Sequence, residues 1–191
     1  MQPPRHISVE EYLAIGLRAD DSKKKGVTRY EYHAGEIFAI DEASQEHARM
    51  VRNVATALRN RLGSEHCRTA TSDLRVKIGQ DYTYPDVVMV CGRADLTDER
   101  PPSLCNPQLI VEVLSESTSK RDKDWKMRAY LQIPTLKEYW ILEHQKRLVL
   151  QYHRLSGEWG QRTLSGETEK VVSDHLNLSI PIEEFYRTVK L

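Results

Sequence analysis

No stretch of the 191-residue sequence approaches the roughly 18–20 continuous apolar residues of a membrane span. The opening residues, MQPPRHISVEEY, hold no apolar core of the signal-peptide kind, so export is not expected. An excess of one charge is also missing. Lys and Arg number 28, Asp and Glu number 28, and the formal net charge is zero. That argues against a histone-like polyelectrolyte and leaves room for a local basic cleft. Cysteine is scarce. Cys67, Cys91 and Cys105 are odd in number, widely spaced and without a CxxC pair. Neither a disulfide framework nor a cysteine zinc site is expected, and a reducing cytoplasm fits best. There is no glycine-rich phosphate loop, no GxSxG, no HExxH and no GxGxxG opening a helix. The seven histidines are scattered without metal-binding spacing.

What is present suffices for a core. Apolar residues make up 39% of the chain, and the length fits one domain over residues 1–191. Ser8 and Glu11 have capping-box spacing and open a first helix. RYEYHAGEIFAI reads as two short strands around a His33–Glu36 turn. From Asp41 to Leu62, residues His47, Val51, Val54, Leu58 and Leu62 recur on one helical face. TSDLRVKIG alternates Leu74, Val76 and Ile78 against Asp73, Arg75 and Lys77, as one strand would. PDVVMVCG and PQLIVEVLS are short and nearly all apolar, like strands buried on both faces. Thr118 to Leu131 reads as a helix. KEYWILE and RLVLQYHRL then form a hairpin, and a short helix is expected within Pro181–Thr188. This order implies an α/β (α+β) domain with a mixed sheet.

Two acids stand where local physics disfavours them. Glu112 lies within LIVEVL, sharing a face with Ile110 and Leu114. Asp86 follows Pro85 and opens the run VVMV, a place where Asp alone also reads as turn punctuation. An unpaired buried carboxylate costs several kcal/mol, so a cation, a hydrogen-bond network or a metal must compensate. Two apolar strands each carrying one acid suit a shared Mg²⁺, which takes one or two carboxylates plus substrate phosphates. His47, on the apolar stripe of the long helix, reads as a partly buried histidine or as a group that contacts phosphate or tunes the site.

The block LIVEVLSESTSKRDKDWKMRAYLQIPTLKEYWILE, with YEYHAGEIFAI and YPDVVMV upstream, resembles the Uma-two family within the PD-(D/E)xK nuclease superfamily. The match runs over roughly Ser8 to His153, and its specific part is Glu112 to Trp140. The resemblance implies a restriction-endonuclease-like fold, a central mixed β-sheet flanked by helices with the site at one end of the sheet. It implies that Asp86 and Glu112 hold Mg²⁺ or Mn²⁺. The superfamily lysine expected two residues after the glutamate is Leu114 here, and the family pattern moves it to Lys126. Asp122, Lys126 and Tyr130 share one helical stripe. Spacing alone does not choose Lys126 over Lys120 or Lys123. The resemblance also raises Glu31 as a third acid, whereas the residues alone read Glu31 and Glu36 as a solvated turn.

The function this implies is metal-dependent hydrolysis of nucleic acid, DNA being the expected form, with no membrane role. Asp86, Glu112 and Lys126 are the expected catalytic residues. Glu31, His47, Asp122 and Tyr130 are accessory candidates. Arg75, Lys77, Lys120, Arg121 and Lys123 are candidate phosphate contacts. A homodimer is expected, because duplex cleavage needs two sites. The alternatives are a catalytically silent nucleic-acid- or partner-binding relative, a metal hydrolase with another substrate, and a structural domain in which Glu112 is merely ion-paired.

Overall fold

The capping box at Ser8 forms as its spacing implies: Glu11 N donates to Ser8 Oγ at 3.2 Å, and Ser8 N donates to Glu11 Oε2 at 3.0 Å. The computed structural model describes residues 6–21, 29–40, 43–62, 66–114, 120–143 and 145–190, with backbone only at 17–21 and 120–124. The capped helix is α1 (Val9–Asp21). Strands β1 (Tyr30–His33) and β2 (Glu36–Ala39) follow, joined through Ala34 and Gly35. Both turn residues have positive φ, 50° and 88°, which is the twist a two-residue hairpin needs. A side chain at Gly35 would also run into the His6 ring.

Helix α2 (Gln45–Leu62) starts after Ser44, whose Oγ accepts from His47 N at 3.2 Å. The apolar period suggested an earlier start; the cap sets the boundary, and Asp41 and Glu42 lie outside the described residues. Val51, Val54 and Leu58 are buried as the stripe implies, joined by Met50, Ala55 and Ala57. Each fully buried aliphatic side chain contributes about 1.5–3 kcal/mol.

The remaining elements are β3 (Cys67–Thr71), β4 (Val76–Ile78), β5 (Asp81–Thr83), β6 (Val87–Cys91), β7 (Leu109–Leu114), α3 (Lys120–Leu131), β8 (Glu138–Glu143), β9 (Leu148–Leu155), β10 (Glu158–Leu164), β11 (Lys170–Ser173) and β12 (Leu178–Pro181), with a 3₁₀ turn at Ile182–Glu184. Six strands form the main sheet in the order β10-β9-β8-β7-β6-β3. Only β7 and β8 run parallel within it, joined through α3, so the sheet is mixed. Four short strands form a second sheet, β2-β1-β5-β4, and β11 pairs with β12. Val87, Met89, Leu109 and Val111 pack toward α2 and the C-terminal hairpin, while Val88, Ile110, Tyr139 and Ile141 pack with Tyr130 and Ile133 on the other face. That explains why β6 and β7 are apolar throughout. No helix among the described residues is long and apolar enough to cross a membrane.

Two expectations are corrected. Residues 71–79 are not one strand. Ser72 takes φ 48° and the chain turns between β3 and β4, so the alternation breaks and Arg75 and Val76 are both buried. Cysteine pairing is the second. Cys67 and Cys91 are direct partners across β3 and β6 and form a disulfide, although 24 positions separate them in sequence. Spacing along the chain carries no register information, so the pairing was invisible there. The bond also removes the cysteine argument for a reducing compartment.

Candidate active site

Strand register sets up the site. Val87 faces Val111 and Val88 faces Ile110, so the next step of the ladder puts Asp86 opposite Glu112. Val113 N donates to Asp86 Oδ2 at 2.8 Å and fixes the carboxylate at the strand end. Glu112 shares its sheet face with Ile110, and that face lies under α3. Lys126 and Tyr130, four residues apart on α3, therefore both reach it. Tyr130 Oη donates to Glu112 Oε1 at 2.7 Å, and Lys126 Nζ lies 3.6 Å from the same oxygen.

The small sheet delivers a third acid. Glu31 on β1 is 6% exposed, and its Oε1 accepts from Lys126 Nζ at 2.7 Å and from Tyr84 N at 3.0 Å. The solvated-turn reading of Glu31 is thereby corrected. Exposed Glu36 keeps it. His47 approaches from α2, with Nε2 3.1 Å from Asp86 Oδ2. A carboxylate only accepts, so Nε2 carries the proton. His47 Nδ1 is buried without a partner among the described residues.

The structure thus brings together Glu31, His47, Asp86, Glu112, Lys126 and Tyr130. Asp122 lies in the backbone-only part of α3, as do the side chains of Lys120, Arg121 and Lys123, outside what is described. Sequence reading missed two contributors, the Tyr84 and Val113 backbone N–H groups. No side-chain pattern announces a backbone donor.

Two carboxylates, Glu31 and Glu112, share one ammonium here, and Asp86 adds its charge from farther away. Burial pushes the Glu112 carboxyl up to about 7, Lys126 opposes the rise, and the negative charges of Asp86 and Glu31 add to it. Burial alone would lower the Lys126 pKa, but Glu112 and Glu31 outweigh it and hold the ammonium protonated. Burial likewise opposes charge on His47, and the Asp86 hydrogen bond with the Asp86 and Glu112 charges raises it on balance. The hard oxygens of Asp86 and Glu112 and the surplus negative charge suit a hard divalent cation. Among the described residues no group of three or more His, Cys, Asp or Glu side chains is arranged to hold a metal. A cation on the two carboxylates would complete its shell with water and substrate oxygens, as Mg²⁺ commonly does.

Two of the proposed phosphate contacts serve the scaffold instead. Arg75 is 2% exposed, donating to Ser103 Oγ, Glu99 Oε2 and the Pro101 carbonyl, with Tyr12 and Tyr82 rings beside its guanidinium. Lys77 Nζ donates to Glu99 Oε1 at 2.7 Å. Burial would raise the Glu99 carboxyl, but Lys77, Tyr82 and Ser103 bring it down to about 2. Arg75→Met is expected to cost about 3–5 kcal/mol in urea unfolding, because it strips a buried ion pair of one partner. Unchanged stability with salt-dependent loss of DNA binding would return Arg75 to the phosphate-contact role.

A family model for Uma2, described as "Putative restriction endonuclease", matches residues 9–183. The chain belongs to the Uma2 family. It is 31% identical over 152 residues to the uncharacterized protein sll1609 of Synechocystis, spanning 78% of this chain and 86% of that one. It is 29% identical over 184 residues to the uncharacterized protein slr1290 of the same organism, spanning 95% and 92%. The fold is similar to a crystal structure described as a putative nuclease belonging to DUF820 from Anabaena variabilis. The TM-score is 0.76, with 14% identity and coverage of 96% of this chain and 99% of that chain. At that identity the likeness speaks to the fold, and this Uma2 chain has the restriction-endonuclease-like mixed α+β architecture.

Proposed function

We propose that this Uma2 protein is a divalent-metal-dependent endonuclease that hydrolyses phosphodiester bonds, with DNA as its substrate. One observation carries the reading. A mostly buried ammonium, Lys126, lies between Glu31 and Glu112 on a helix packed over the strand end where Asp86 stands opposite Glu112. Asp86 and Glu112 would hold Mg²⁺ or Mn²⁺, which when bound polarises a phosphate oxygen and lowers the pKa of water. Lys126 stays protonated between its acids, so its part is electrostatic. It stabilises charge developing on the phosphate rather than taking a proton. Glu31, with the Tyr84 N–H behind it, aims the ammonium. Tyr130 holds Glu112, and His47 and Val113 N hold Asp86.

The test is cleavage of supercoiled plasmid DNA with Mg²⁺, with Mn²⁺ and with EDTA. Metal-dependent nicking is expected, with Asp86→Asn and Glu112→Gln reducing it by more than about 100-fold. DNA binding without cleavage under any divalent ion would favour the silent relative, a reading that Leu114 in place of the superfamily lysine supports. Cutting both strands calls for two sites, which a C₂ homodimer supplies. Sedimentation at micromolar concentration is expected to give twice the chain mass, and a monomer with and without DNA would count against pairing.

A further inference from the structure

The acidic site is not where the concave surface ends. On β1, Glu31 and His33 share a face, two residues apart. On α3, Trp125 and Lys126 are consecutive. Glu31 meets Lys126 at 2.7 Å, and His33 stacks on Trp125 with ring centroids 4.3 Å apart and planes 8° from parallel. Beyond that stack, between α3 and the β4–β5 hairpin, lies a cavity of about 950 Å³. His33, Lys77, Asp81, Trp125, Arg128 and Gln132 are among its lining residues. Its volume is at the upper end of small-ligand sites. The cavity therefore continues the acidic site along the same strand–helix seam.

Its chemistry favours an anionic, partly aromatic occupant. Arg128 is exposed and forms no ion pair among the described residues. Asp81, the acid in the lining, is already held by His33 Nδ1 at 3.0 Å and Ala34 N at 3.2 Å. Trp125 is unlike the other two tryptophans. Trp140 Nε1 donates to Glu138 and Trp159 Nε1 donates to the Leu131 carbonyl, but Trp125 Nε1 is buried with no acceptor among the described residues. An unmade buried hydrogen bond costs about 1–3 kcal/mol. A ligand that supplies an acceptor removes that cost.

We propose that this cavity receives the nucleotides flanking the scissile phosphate, with Arg128 on a backbone phosphate and the Trp125 N–H donating to the same strand. The proposal rests on the nuclease reading for the identity of its occupant. Phosphate contacts of this kind fix the register of a strand on a protein.

Binding without metal separates the two ideas. The probe is a fluorescein-labelled single-stranded DNA of about 12 nucleotides, within the usual span of a single-strand groove, followed by anisotropy in EDTA. Arg128→Gln is expected to weaken binding about 10-fold, the size of one charged hydrogen bond, with a shallower salt dependence. Trp125→Phe keeps an aromatic ring against His33 and removes the N–H together with part of the indole. It is expected to leave the free protein folded and to weaken binding about 5-fold. Arg162→Gln, on exposed β10 at the far edge of the main sheet, is the control and is expected to leave affinity unchanged. If Arg128→Gln and Trp125→Phe both bind within about 2-fold of the native protein, far below the cost of a lost charged contact, the groove assignment is wrong. Loss of affinity in both variants alongside a native chain that never cleaves would uphold the groove and defeat the nuclease reading.

Discussion

Lys126→Met is expected to slow phosphodiester cleavage by about 100–1000-fold, the usual penalty for removing one preorganised donor to developing charge. The affinity for DNA is expected to change far less. The ammonium is mostly buried and already engaged by Glu31 and Glu112, so it adds little to the long-range field that attracts a polyanion. Single-turnover cleavage at saturating enzyme measures the first quantity, and anisotropy in EDTA the second. The variant must be shown folded, because methionine leaves two buried carboxylates without their cation. Glu112 can relieve part of that strain by taking up a proton, so Lys126→Met should lose stability as pH rises. Pairing it with Glu112→Gln should recover much of that loss. A Lys126→Met protein that is folded and cleaves at the native rate would end the mechanism.

Glu112→Gln is expected to raise stability in metal-free buffer at pH 8 while abolishing divalent-ion binding. The sign follows from the direction of the shift. Burial first, then the Asp86 and Glu31 charges, raise the folded-state carboxyl from its ordinary 4.5 to about 7 against the pull of Lys126. Between those two values the folded chain holds a proton that the unfolded chain has released. Native stability therefore falls as pH rises through this window and is level above it. At 1.36 kcal/mol per pH unit the full effect is about 3 kcal/mol. Glutamine carries no such proton. The variant and the native protein should unfold alike near pH 4.5, diverge up to about pH 7 in favour of the variant, and then keep a constant gap. Urea denaturation across pH in EDTA reads this directly. A large loss of stability at every pH would show instead that Glu112 serves as a structural ion-pair partner.

The two acids were legible for a definite reason. A carboxylate inside a strand buried on both faces contradicts its surroundings, as Glu112 does in LIVEVL, and Asp86 marks the entrance to the apolar run VVMV. The capping box at Ser8 and the stripe on α2 were legible because they are local periodicities. Lys126 was not legible from spacing, since Lys120 and Lys123 offered the same charge nearby. The family pattern chose it, and the packing of α3 over β7 supplies the geometric reason. Arg75 shows the opposite failure. Strand alternation assigned it to an outer face, but the turn at Ser72 placed it among Glu99, Ser103 and two tyrosine rings.

By itself the sequence determined the mixed α+β class, the helices and apolar strands, and the pair of acids that burial would not tolerate alone. These follow from the order of apolar and polar residues along the chain, which fixes what each segment can bury. Tertiary structure decided which residues meet. It brought Glu31 of the small sheet to Lys126, set His47 of α2 on Asp86, closed Cys67 onto Cys91 and stacked His33 on Trp125. Each of those contacts joins segments distant in the chain. Their register depends on how whole sheets and helices pack, and local residue preferences do not encode it.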